Sequence, residues 1–239
     1  MVEFAPLPTA LTDDGHQISE IRLVRMMRWL RESGPVGWVV CTDAGEFPTL
    51  SLGERKQVLE IVAREAAQGG DVWVNVSAPS TAASLDLAQH ADRHGAIGVI
   101  LSPPEYGPYS DDEMLDYYHV VARHGHLQVY VVDPMSQLSP GLRKSLEAIP
   151  DVDLTGLEAK STSWFQWKQL KCRPLRAVGI AAEGNVDTDL LLEKFGSARF
   201  IKTALEELEI EAGPLRGPLK TIRGEDRNRL AIALQSLRG

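Results

Sequence analysis

The chain has 239 residues, 44% of them hydrophobic, and a formal net charge of -8, which suits one large α/β domain or two small ones with a full core. Its acidity and its lack of any long Lys/Arg run exclude binding through displaced phosphate counterions, so no nucleic-acid partner is expected. Cys41 and Cys172 are the two cysteines and give no disulfide framework; no apolar run nears a membrane span, and Met1-Val2-Glu3-Phe4 lacks a signal-peptide layout, so a cytoplasmic protein with no membrane partner is expected.

In chain order, Phe4 to Thr12 reads as a short strand and turn closed by Asp13-Asp14-Gly15. Ile21, Val24, Met27 and Leu30 then keep helical spacing until Gly34-Pro35. A buried strand, Gly37 to Cys41, runs into the polar turn Thr42 to Ser51 and the helix Glu54 to Ala67. The unit repeats: strand 71–76, helix 80–94, strand 96–101, helix 114–124, strand 127–132, a helix around 142–146, strand 154–158, helix 164–170 and strand 175–181. Alternating strands and helices predict a parallel sheet, because parallel neighbours need a crossover. From Asp187 onward the pattern is helical, with segments 190–195, 201–208 and 225–237. These patterns predict a (β/α) region over 1–186, which the resemblance described below makes a barrel, and a helical segment over 187–239 packed on it.

The turn at 42–51 organises this reading, because ligands of parallel α/β folds sit at the carboxyl ends of strands. Its string Gly45-Glu46-Phe47-Pro48-Thr49-Leu50-Ser51, followed by Glu54-Arg55, resembles the segment after the second strand of the dihydrodipicolinate synthase and N-acetylneuraminate lyase family. That family consists of class I lyases on a TIM (β/α)8 barrel. Ser102-Pro103-Pro104-Glu105-Tyr106 is similar to the family's proline and paired-aromatic turn, and Gly213 to Leu219 to its tail turn. The resemblance implies a TIM (β/α)8-type barrel without a clear eighth strand, whose gap is left open or covered by a partner chain.

Residue by residue, the resemblance also implies an altered site. Asp43 and Ala44 stand where the family has a Thr pair. Glu158 falls at the position of the imine-forming lysine, with Lys160 two residues later on the same side of the strand. A carboxylate cannot form an imine with a 2-oxo acid. Val132-Asp133-Pro134 replaces the family's Tyr-Asn, leaving Tyr130 as the local substitute of equal parity. Tyr106 takes the place of an aromatic that members lend across a subunit contact. Met135-Ser136-Gln137 carries no arginine for a substrate carboxylate.

The expected substrate-binding residues are therefore Asp43, Ala44, Glu46 and Asp133, and the catalytic candidates Lys160, Glu158, Tyr130 and Tyr106. The strand ends also gather Glu105 and Glu183, and clustered carboxylates suit a hard divalent cation. The plainer expectation is that these side chains pair with cations or face water, and no metal and no cofactor are assigned. His90 and His94 lie at i and i+4 on one helix, where a hydrated histidine face is the expectation. Three functions follow: a diverged barrel that has lost pyruvate Schiff-base catalysis and binds a small molecule or serves as a non-catalytic partner; a lyase on a 2-oxo acid using Lys160; or a metal-assisted lyase or hydratase using Asp43, Asp133 and Glu158. A homo-oligomer, dimer or tetramer, is expected in each case.

Overall fold

The computed structural model of the chain describes residues 3–32, 34, 36–104, 106–133, 135–158, 177–178 and 185–238. The chain divides into two compact units, Met1–Gly70 with Lys171–Gly239, and Asp71–Leu170.

In the first unit, β1 (Glu3–Pro6) and β2 (Val36–Val40) pair in parallel, with Phe4 opposite Gly37 and Ala5 opposite Trp38. The crossover between them is α1 (Glu20–Glu32), which buries Leu23, Met26, Met27 and Leu30 at i, i+3, i+4 and i+7. A capping box starts α2 (Leu52–Ala66): Ser51 accepts from the Glu54 amide while the Glu54 carboxylate accepts from the Ser51 amide. Near the end of α2, the Glu65 carboxylate lies 3.0 Å from Arg28 and 3.2 Å from Arg31, tying α2 to α1. The Arg28 hydrogen bond is the main force holding that carboxyl below the usual glutamate range. Helices α6 (Val186–Phe195), α7 (Ser197–Glu207) and α8 (Gly224–Arg238) complete the unit.

In the second unit, β3 (Val72–Asn75), β4 (Gly98–Leu101), β5 (Gln128–Val131) and β6 (Val152–Asp153) pair in order, all parallel. The crossovers are α3 (Thr81–Arg93), α4 (Asp111–Gly125) and α5 (Pro140–Leu146). Ser80, Ser110 and Ser139 cap their starts by accepting from the amides of Ala83, Glu113 and Leu142. Val74, Val99, Val129 and Val131 are all buried, as expected for parallel strands covered on both faces. The Trp73 indole lies over Gly98, where an added Cβ would stand 2.3 Å from the ring.

The α/β architecture agrees with the expectation, and one strand differs. The sixth strand was expected at 154–158; the pairing residues are Val152 and Asp153, and Thr155–Glu158 form a 3-10 turn. Asp153 Oδ1 accepts from the Thr155 amide at 2.8 Å and its hydroxyl at 2.7 Å, which folds the chain over and ends the strand. The expected helix 164–170 lies outside the described residues, as does the expected strand 175–181 apart from Ala177 and Val178, both buried. Among the described residues, no helix is long and apolar enough to cross a membrane.

Gly98→Ala is expected to lower stability by about 1–3 kcal/mol through overpacking against Trp73. Urea denaturation reads this as a lower midpoint, and an unchanged midpoint would mean that the indole can move aside.

Candidate functional site

The turn after β2 is built by its own residues and by the C-terminal helices of the same unit. Cys41 and Glu46 hold positive φ angles of 56° and 58°, a left-handed conformation that non-glycine residues keep only where their surroundings enforce it. The Thr42 carbonyl accepts from the Gly45 and Phe47 amides, and Thr9 Oγ1 donates to the Gly45 carbonyl at 2.6 Å. This winding buries Ala44 and turns Asp43 and Glu46 to separate partners.

Glu46 and Lys202 form an ion pair, Nζ to Oε1 2.7 Å, with each side chain 1% exposed. The ammonium also donates to the Pro214 carbonyl at 2.6 Å, and Glu46 Oε2 accepts from the Arg216 amide at 2.7 Å. The Arg216 guanidinium donates to the carbonyls of Gly15, His16 and Thr49 and, at 2.7 Å, to Glu54 Oε1. That last bond is the main reason the Glu54 carboxyl sits below its usual range. Asp43 Oδ2 accepts from the Ser197 hydroxyl at 2.9 Å, at the start of α7, where the helix dipole favours a negative charge. Burial lowers the Lys202 pKa below the ordinary 10.5, and the Glu46 charge offsets part of that effect.

In the second unit, Tyr130 is buried on β5, its ring edge-on to Trp73 with centroids 6.2 Å apart. Asp133 follows the same strand and is also buried. Its Oδ1 accepts from the Gln137 amide at 2.8 Å and its Oδ2 from the Leu138 amide at 2.9 Å, with Arg143 3.5 Å from Oδ2. The carboxylate thereby shapes the loop that leads into α5. Tyr106 is 80% exposed. The Glu158 backbone ends the 3-10 turn, while Lys160, Glu105 and Glu183 lie outside the described residues.

Asp43, Ala44 and Glu46 thus share one turn, and Tyr130 and Asp133 share the end of one strand. Sequence reasoning read Arg216 only as part of the tail turn and assigned no role to Lys202 or Ser197. A signal for Lys202 was present: it lies among Ala198, Ile201 and Leu205 on the buried side of α7, and a lysine in an apolar stripe calls for a buried counter-charge.

Residues 4–170 match the Dihydrodipicolinate synthetase family. The chain belongs to that family. Among its relatives, the 4-hydroxy-tetrahydrodipicolinate synthase of Rhizobium meliloti is 32% identical over 115 residues, 48% of this chain and 39% of that protein. The N-acetylneuraminate lyase of Salmonella paratyphi B (strain ATCC BAA-1250 / SPB7) is 36% identical over 163 residues, 66% of this chain and 54% of that protein. The matched stretch therefore spans about half the length of these curated relatives. The dihydrodipicolinate synthase structure from Agrobacterium tumefaciens superposes with a TM-score of 0.78 at 18% identity, covering 99% of this chain and 98% of that one. For Proteus mirabilis N-acetylneuraminate lyase the values are 0.74 and 18%, over 99% and 98%. At that identity the structures establish the fold, the α/β barrel of this family of class I aldolase-like proteins.

Lys202→Met strands the Glu46 carboxylate in the interior and is expected to cost about 3–5 kcal/mol, whereas Glu46→Leu combined with Lys202→Met recovers most of that loss. Because burial lowers the folded-state pKa of Lys202, the unfolded chain binds more protons between that value and 10.5, so stability rises with pH across this window. Below the folded-state value the burial cost is present in full. Urea denaturation at rising pH should show the wild-type chain gaining stability relative to the double variant as pH approaches 10.5.

Proposed function

We propose that this chain is a diverged dihydrodipicolinate synthetase-family barrel that no longer carries out pyruvate Schiff-base catalysis and serves as a small-molecule-binding or non-catalytic partner protein. The observation that carries this reading is the Asp43 carboxylate bonded to Ser197, at the position where the resemblance calls for a catalytic hydroxyl. A carboxylate that docks a helix does not relay protons as a threonine hydroxyl does. Asp133 supports the same reading: both oxygens accept backbone amides, at the position where the resemblance calls for the Asn after the catalytic Tyr. Glu158 at the lysine position adds a group that cannot attack a carbonyl. Those engaged oxygens also count against Asp43 and Asp133 as metal-binding groups of a hydratase.

A second reading keeps the chemistry. The relatives at 32% and 36% identity are a synthase and a lyase by name, and Lys160 follows Glu158 at the spacing that puts both on one side of a strand. In that reading Lys160 is the nucleophile toward a 2-oxo acid, and Tyr130 or Tyr106 handles protons. Self-association accompanies both readings, supported by exposed Val186 and Leu190 on α6 and Ile232 on α8.

Incubation with pyruvate and borohydride followed by intact-mass measurement separates them. The diverged barrel is expected to show no reduced pyruvate adduct under conditions that label a working class I lyase. An adduct on the wild-type chain that disappears in Lys160→Ala would replace the first reading with the second.

A further inference from the structure

Helix α3 ends in an arrangement that the proposed function does not use. Asp86, His90 and His94 are spaced four residues apart, which sets them along one ridge of the helix. The two imidazole rings lie with centroids 4.3 Å apart and planes inclined by 36°. A ring nitrogen of each stands within 4.8 Å of the other's. His90 is 8% exposed, whereas His94 is open to solvent. One ring is anchored by packing and the other is reachable from water.

We propose that His90 and His94 form a two-nitrogen chelate for a divalent transition-metal ion, with Asp86 as the carboxylate that orients His90. Neutral imidazoles one helical turn apart can both donate to one ion, and imidazole selects zinc, nickel or copper over magnesium and calcium. The backbone adds to the attraction. His94 is the C-cap residue of α3, its amide reaching the carbonyls of His90 and Ala91, so the ion sits at the negative end of a 13-residue helix. Asp86 lies one turn before His90 on the same ridge, a spacing from which a carboxylate can accept the remaining ring N–H of a metal-bound histidine. Asp92 is directed elsewhere, 3.5 Å from His126.

The place of this chelate in the fold gives it a structural role. It lies at the end of α3 that leads into the start of β4, whereas barrel chemistry sits at the carboxyl ends of strands. The ion fastens the last turn of α3 and stabilises the folded chain by mass action. Sequence spacing alone gave a hydrated histidine face; the approach of the two rings is what changes the reading.

Calorimetric titration of the full chain with zinc chloride tests this, with cupric ion as a spectroscopic probe. The wild-type chain is expected to bind one equivalent saturably, to gain thermal stability with zinc, and to show two nitrogen donors in the copper spectrum. His94→Ala alters an exposed side chain, and it should weaken binding by about tenfold or more and abolish the zinc-dependent thermal shift, with Asp86→Asn costing about tenfold. A His124→Ala/His126→Ala control should bind as the wild type does. The proposal is overturned by the absence of saturable binding, by binding that survives His94→Ala, or by binding that is lost in the control.

Discussion

The first unit depends on a single buried contact, the ion pair between Glu46 and Lys202. Removing two charges from water costs several kcal/mol each unless their attraction and further hydrogen bonds offset the loss. Here both members are completed: Lys202 by the Pro214 carbonyl, Glu46 by the Arg216 amide. The consequence is geometric as much as energetic. The two charges come from distant parts of the chain and both compensating groups from Pro214 and Arg216, so the pair is satisfied only when the turn after β2 and the C-terminal segment adopt their final positions together. Arg216 extends the same lock to the carbonyls of Gly15, His16 and Thr49. A turn with two non-glycine residues at positive φ persists because this set of contacts leaves it no other conformation.

That constraint bears on the chemistry. A carboxylate at a strand end is available for catalysis or metal binding only to the extent that its oxygens are not already engaged. Glu46 holds the tail, Asp43 docks the start of α7, and Asp133 shapes the loop before α5. Asp43 and Glu46 share one turn and Asp133 follows β5, and each carboxylate has local partners of its own. Belonging to a family of lyases fixes the scaffold, whereas chemistry depends on which atoms remain free to meet a substrate.

Much of the architecture was legible because it is periodic. The helical spacing of α1 and the apolar strands are local signals, and the structure follows their positions to within a few residues, although α1 buries Leu23 and Met26 beside Met27 and Leu30 and leaves Ile21 exposed. The sixth strand was misplaced because Leu154-Thr155-Gly156-Leu157 is apolar enough to read as extended, while the deciding event is the Asp153 side chain capturing Thr155. A two-residue side-chain turn leaves no periodic trace. The partners of Glu46 were invisible for a different reason. They lie between 156 and 170 positions away along the chain, and nothing local to Glu46 distinguishes a buried, paired glutamate from a ligand-facing one.

The Lys202 side of that pair shows what long-range reading still allows. α7 buries Ala198, Ile201, Ala204 and Leu205, with Lys202 and Thr203 among them. Each polar member needs a partner in the interior. Thr203 donates to the Arg199 carbonyl and accepts from the Ile222 amide, so it is satisfied within the C-terminal segment, but a lysine calls for an anion that this segment's buried stripe does not contain. Its partner is the glutamate held at positive φ in the β2 turn. Two local anomalies, a charge in an apolar stripe and an acid in a strained turn, therefore account for each other, and their pairing sets where the tail must lie.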